Sequence, residues 1–192
     1  LPRTAQPALR AASLAVVAAL KEEGVGVVAA VYVAGHSLGE YSALAAAGAF
    51  TVSDTARLLR LRGEAMQAAV KPGDGAMAAL LGLDLDAVQA VVAKSAGGDC
   101  LSAANDNDPA QVVISGTAAA VERAVEAAKA AGAKRAVMLP VSAPFHCELM
   151  RPAAEAMAEA LSQVNISAPA VPVVSNVRAE AVSSPDLIRE LL

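Results

Sequence analysis

The sequence predicts an α/β chain in two parts: a body built on a parallel sheet, and a small β-α-β-β-α-β subdomain set into it. Three observations carry that expectation. Residues 27–34 are an uninterrupted apolar run with Val27, Val28, Val31 and Val33, the composition of a strand covered on both faces. Lys71-Pro72-Gly73-Asp74-Gly75 is the clearest breaker cluster, and beyond it the elements shorten. From there to residue 141, strand and helix patterns follow the order of a split βαβ unit. The body is therefore expected over 1–71 and 142–192, and the ferredoxin-like subdomain over 72–141.

In order along the chain, Thr4 is placed to cap a first helix with Pro7 in its first turn. Leu9, Ala12, Val16, Val17 and Leu20 recur at helical spacing before Gly24 stops it. After the apolar run and a tight turn, 38–47 is helical and ends at Gly48. Ser53 then caps a third helix to about residue 70. Strands are expected at 76–81, 101–104, 111–115 and 136–141, with the polar loop Asn105-Asp106-Asn107-Asp108-Pro109 between the second and third. Helices fill 84–96 and 117–131, the latter closed by Gly132. Residues 147–164 are helical, with Pro152 re-starting the helix, 171–174 is a short strand, and Ser184-Pro185-Asp186 caps a final helix. The start without Met and the stop inside a helical pattern read as an internal piece of a longer protein.

Composition narrows the function. With 192 residues, 56% hydrophobic, there is enough chain for one sizeable core or two small ones. Aromatics are only 2%, so there is no stock of base-stacking platforms. A net charge of −4 and the lack of a basic run remove the cationic stripe that nucleic acid or anionic lipid requires. The apolar stretches 11–20 and 27–34 are shorter than the roughly 20 residues that span a bilayer. Two cysteines, Cys100 and Cys147, make neither a disulfide framework nor a CxxC pair, which fits a reducing cytoplasm.

Chemistry concentrates at Gly35-His36-Ser37-Leu38-Gly39, a GxSxG expected after the buried strand and before a helix, the setting of a nucleophile elbow. A Cβ at either glycine is expected to strike the neighbouring element. Ser37 would be the nucleophile, and the Leu38 N–H with the helix dipole would stabilise an oxyanion. The alternative is a Gly-rich turn whose Ser only caps. A serine nucleophile needs a base, and His36 projects away from its neighbour, packing or hydrogen-bonding beneath the elbow. His146, in a loop entering a helix, is left. No acid after His146 stands out as a third member, so a dyad, an amide or carbonyl partner, or a group beyond Leu192 all remain open. Arg62 shares a helix side with Ala56, Leu59, Gly63 and Met66. Inward-facing, it would require an anion; otherwise it is a surface arginine like Arg57 and Arg60.

Taken together, Ala34-Gly35-His36-Ser37-Leu38-Gly39-Glu40-Tyr41, then Arg62-Gly63, 105–113, Ala131-Gly132-Ala133-Lys134-Arg135-Ala136 and 140–146 resemble malonyl-CoA:acyl-carrier-protein transacylase, of the acyltransferase family of fatty-acid and polyketide synthesis. The resemblance runs nearly end to end. It implies an α/β-hydrolase-like body interrupted by the ferredoxin-like subdomain, and a ping-pong transfer. Ser37 attacks malonyl-CoA with His146 as base, and the malonyl ester passes to the phosphopantetheine thiol of acyl carrier protein. Arg62 would hold the malonyl carboxylate, Met66 would line the acyl pocket, and His36 would lie among the substrate-binding residues. Phe145, preceding the base, resembles versions that accept malonyl and leave little space for an α-methyl branch. Lys129, Lys134 and Arg135 are candidates to meet the acidic carrier protein. The resemblance also places a Gln-bearing glycine-rich turn before Leu1 and an amide-bearing segment after Leu192. Expected partners are malonyl-CoA and holo acyl carrier protein, with no nucleic acid, no membrane, no cofactor and no metal, in a cytoplasmic monomer. Rival readings are a serine hydrolase or thioesterase, and a truncated docking module that binds carrier protein without transfer.

Overall fold

A computed structural model describes residues 2–192. Its elements in order are α1 (Pro2–Glu22), a 3-10 turn (Val27–Ala29), α2 (Leu38–Ala46), α3 (Val52–Ala68), β1 (Gly75–Leu81), α4 (Leu85–Ser95), β2 (Leu101–Asp108), β3 (Gln111–Thr117), α5 (Ala118–Ala130), β4 (Arg135–Met138), a second 3-10 turn (Glu148–Met150), α6 (Arg151–Ser162), β5 (Val173–Val174), β6 (Ala181–Val182) and α7 (Pro185–Leu191). The chain divides into two compact units, one of residues up to 64 with 155–192 and one of residues 65–154. It is an α/β chain.

In the second unit the order β-α-β-β-α-β is present, and its four strands pair antiparallel throughout as β2-β3-β1-β4. One sheet face buries Ala78, Leu80, Val112 and Ile114 against Val88 of α4 and Val121 and Ala124 of α5, all fully buried. Asp84 caps α4 by accepting the Ala87 N–H at 2.9 Å, and Gly132 (φ +96°) ends α5 in the left-handed region. The polar stretch after Ala104 is not a loop: β2 runs to Asp108, pairing Asn105 with Val113 and Asp106 with Val112 through two register shifts. As an edge strand it keeps Asp106–Asp108 exposed while one side of its backbone pairs with β3, so polarity there does not mean irregular structure. The unit extends past the breaker cluster because Met66, Ala143, Met150 and Ala153 form a buried cluster of their own.

The first unit centres on Tyr41, Leu44, Phe50, Leu59, Leu161 and Val173, with the Tyr41 and Phe50 rings stacked at 6.2 Å. The buried parallel strand expected at 27–34 does not form. Residues Val27–Ala29 form a 3-10 turn, and only Val33 makes a parallel bridge, to Val173. A strand inside a parallel sheet needs a neighbour on each edge and a layer on each face. Val28 and Val31 instead stand 76% and 74% exposed. The first helix is also longer than expected, with Thr4 and Pro7 inside it rather than capping it; Leu9, Val16 and Leu20 are exposed, and its buried residue is Gln6. α3 is capped not by Ser53 but by Thr51, whose hydroxyl accepts the Asp54 N–H at 2.9 Å. No helix among the described residues is long and apolar enough to cross a membrane.

Candidate active site

The elbow begins at Gly35, where a Cβ would lie 2.0 Å from the Gly39 carbonyl carbon and oxygen, a distance no side chain tolerates. The same argument fails at Gly39, where a Cβ would meet nothing, so only the first glycine is required by close approach. Ser37 sits at the N-cap of α2 with φ 52° and ψ −110°, a strained conformation for a residue with a side chain. Asn176 holds it there. Its Oδ1 accepts the Ser37 N–H at 2.6 Å, and its Nδ2 donates to the Gly35 carbonyl at 2.7 Å, so one side chain clamps both sides of the turn. Leu38 opens α2, and its N–H is among the first-turn donors that no helical carbonyl takes up.

Arg62 faces inward, not outward like Arg57 and Arg60. Its guanidinium donates to Ser37 Oγ through Nη2 and to Gln6 Oε1 through Nη1, both at 3.0 Å, and lies over the Tyr41 ring, 5.9 Å from its centroid. Burial pulls its pKa down, opposed by Tyr41 and by the Glu40 carboxyl; an arginine in such a place stays charged. Glu40 is buried on α2. Desolvation pushes its pKa up to about 6, against the lowering effects of the Asn176 N–H, which donates to it at 3.3 Å, and of Arg62. The same burial raises Tyr41 to about 12. The cation thus contacts the nucleophile while making no direct ion pair with Glu40 among the described residues.

His36 is exposed and is not packed beneath the turn. It borders a cavity of about 400 Å³ lined by Leu14, Val17, Val27, Val33 and Ala43. The other candidates lie in the second unit. Met66 is buried with Ala143, Met150 and Ala153, and Phe145 packs half-buried against that cluster. His146 is exposed, with φ 59°, just before the Cys147 N-cap of the second 3-10 turn. Sequence reasoning did not single out Gln6, Glu40 or Asn176. Gln6 was visible as a polar residue entering an apolar helix. Asn176 lies in a turn remote from Ser37 in sequence, and nothing local marks it.

Ser37 on a strained turn into α2, beside the inward Arg62, presents a hydroxyl that can serve as a nucleophile, and this chain belongs to the family of the acyl transferase domain, whose model matches residues 3–191. The malonyl CoA-acyl carrier protein transacylase of Escherichia coli (strain K12) is 49% identical over 187 residues, covering 97% of this chain and 60% of the relative. An acyl-carrier-protein-S-malonyltransferase from Bartonella henselae superposes with a TM-score of 0.96 at 55% identity, covering 100% of this chain and 61% of that one. A malonyl-transacylase solved in complex with its type II polyketide acyl-carrier protein superposes with a TM-score of 0.95 at 45% identity, covering 99% and 61%. The resemblance read from the sequence motifs is borne out. This chain spans about 60% of the length of the curated relatives it matches.

Proposed function

We propose that this chain carries the nucleophile-bearing part of a malonyl transferase, which moves malonyl from malonyl-CoA to the phosphopantetheine thiol of acyl carrier protein. The observation that carries this reading is the Arg62 guanidinium, 3.0 Å from Ser37 Oγ and held by Gln6. A neutral acyl group has no use for a cation at the nucleophile, whereas a malonyl carboxylate can accept a bidentate pair from a planar fork. The names of the relatives point the same way.

In this reading Ser37 Oγ passes its proton to His146 and attacks the thioester carbonyl. The C–S bond breaks, CoA leaves as a thiol with the proton returned by His146, and malonyl remains as an ester on Ser37. The carrier thiol then attacks that ester, and Ser37 recovers its proton. The Leu38 N–H supplies an oxyanion donor, Met66 and Phe145 shape the acyl pocket, and His36 contributes to substrate binding. No cofactor or metal takes part. Lys129 is paired with Glu126 at 2.7 Å, which leaves Lys134 and Arg135 as the better cations to meet an acidic carrier protein. We read 65–154 as enclosing the ferredoxin-like subdomain at 72–141, and the remainder as the hydrolase-like body, in a monomer of the cytoplasm.

Intact-mass measurement of the full polypeptide after incubation with malonyl-CoA tests this. A malonyl adduct mapping to Ser37 is expected, and Ser37→Ala should abolish it without unfolding the protein. Free malonate with no adduct would indicate a hydrolase, and neither product a docking module.

A further inference from the structure

The second unit has a sheet face opposite the one that α4 and α5 pack, and the two cysteines meet there. Residues directly opposite in an antiparallel pair share a face. Leu101 pairs with Gly116 and Ser102 with Ser115, and the Thr117 N–H donates to the Cys100 carbonyl at 2.9 Å. Cys100, Ser102, Ser115 and Thr117 therefore lie on one face. Gly75 and Met77 join them through their pairing with Thr117 and Ser115. The helix-packed face carries the alternate residues Leu101, Ile114 and Ala78.

The segment bearing His146 is laid over the cysteine face. Pro144 sits where a Cβ at Gly75 would be, its Cγ 2.3 Å from that position, so the close approach depends on glycine at 75. Three residues on, the Cys147 thiol donates to the Pro144 carbonyl at 3.2 Å and faces the Ser115 hydroxyl and the Cys100 thiol. Both sulfurs are half-buried and neither is in a disulfide. Burial, with a smaller push from Cys100, holds the Cys147 thiol above its usual pKa range.

We propose that Cys100 and Cys147 are a thiol pair that hydrogen peroxide converts to a disulfide, tying the segment that carries His146 to the end of β2. In the first step the Cys100 thiolate sulfur attacks peroxide. An S–O bond forms, the O–O bond breaks, and hydroxide leaves to become water, giving a sulfenic acid. In the second step Cys147 gives up its proton and its sulfur attacks the Cys100 sulfur; the S–O bond breaks and a second water leaves. Two thiols lose two electrons in all, and peroxide is reduced to two waters. An S–S bond of about 2 Å draws Cys147 from the Pro144 carbonyl toward β2. His146, at φ 59°, is joined to it by one peptide bond and must move with it. The effect of that movement on transfer rests on His146 serving as the base.

Peptide mapping of the peroxide-treated full chain under non-reducing conditions tests the pair. Trypsin leaves Cys100 in 95–123 and Cys147 in 136–178, since Arg151 precedes Pro152. A species joining the two, lighter by two hydrogens than their sum, is expected in the wild type. It should vanish on thiol reduction and be missing from Cys100→Ala and Cys147→Ser. Only intermolecular links, or sulfinic acid on unlinked peptides, overturns the proposal. Malonyl transfer in the linked form should fall by the roughly hundredfold or more that a displaced base costs, and return on reduction. Cys100→Ala should start at wild-type activity and resist peroxide. A linked form with undiminished transfer overturns the control of His146. A reduced protein with no transfer at all counts against the proposed function, while the mapping still decides the pair.

Discussion

The four-stranded sheet of the second unit and the serine elbow of the first are held by different kinds of bond. In the sheet, β1 pairs with β3 over seven consecutive positions, and a wall of Ala, Leu, Val and Ile at zero exposure backs the ladder. At the elbow, a strained Ser37 is fixed by side chains from elsewhere in the chain: Asn176 on its backbone, Arg62 on its hydroxyl, and Gln6 on Arg62. The sheet is built for stability and can lose a hydrogen bond. The elbow is built for position, so a single side-chain change there should alter chemistry more than folding.

Arg62→Ala is the sharpest test of that difference. Loss of one partner from a desolvated charged pair costs on the order of 2 to 5 kcal/mol, so kcat/KM for malonyl transfer should fall by that amount while acetyl transfer survives or improves. Equal loss for both acyl groups would defeat the carboxylate role. The counterpart in the sheet is Ile114→Ala, at a fully buried position. It should cost about 2 to 5 kcal/mol of stability by leaving a cavity, read as a shift in the urea midpoint. Transfer per folded molecule should hardly change. If Ile114→Ala lowered transfer without lowering stability, the contrast between the regions would be wrong.

The same contrast explains what could be read from sequence. The second unit was legible almost element by element because its elements carry local signals: β2 and β3 form a hairpin, and turn residues such as Gly132 and the Asp84 cap act locally. Ser37 and Arg62 were legible because GxSxG and an arginine beside a glycine are local signals. Residues 27–34 misled because apolarity states a preference for burial, while a strand also needs edges to pair with, and only Val33 finds one. Asn105–Asp108 misled in the opposite sense, since an edge strand tolerates charge. Asn176 had no local sign, as a clamp on a turn is defined by what the fold brings to it.

Glu40 gives a test of intermediate size. Its pKa is about 6 in the folded state against 4.5 ordinarily, so between those values the folded protein binds more protons than the unfolded. Stability therefore falls as pH rises through that window. A shift of this size corresponds to about 2 kcal/mol, present below pH 4.5 and lost above 6. Glu40→Gln cannot titrate and should flatten this part of the stability profile, measured as urea midpoints from pH 4 to 7. An unchanged slope in the variant would place the titrating group elsewhere.

The smallest effect is expected at the clamp itself. Asn176 is exposed, so in Asn176→Ala water can satisfy the Ser37 N–H and the Gly35 carbonyl, and the cost in stability should be about 1 kcal/mol. What water cannot supply is the geometry: two hydrogen bonds from one rigid amide fix the distance between the sides of the turn and keep Ser37 at φ 52°. The loss should thus appear in kcat more than in KM, since substrate still meets Arg62 while the hydroxyl spends less time in the attacking position. Asn176→Asp separates geometry from hydrogen bonding. A carboxylate can accept from the Ser37 N–H but cannot donate to Gly35, so only half of the clamp is restored. If Asp recovered full kcat, the bond to Ser37 alone would hold the elbow; if neither variant changed kcat, the strained turn would be fixed by Gly35 and α2 without any clamp.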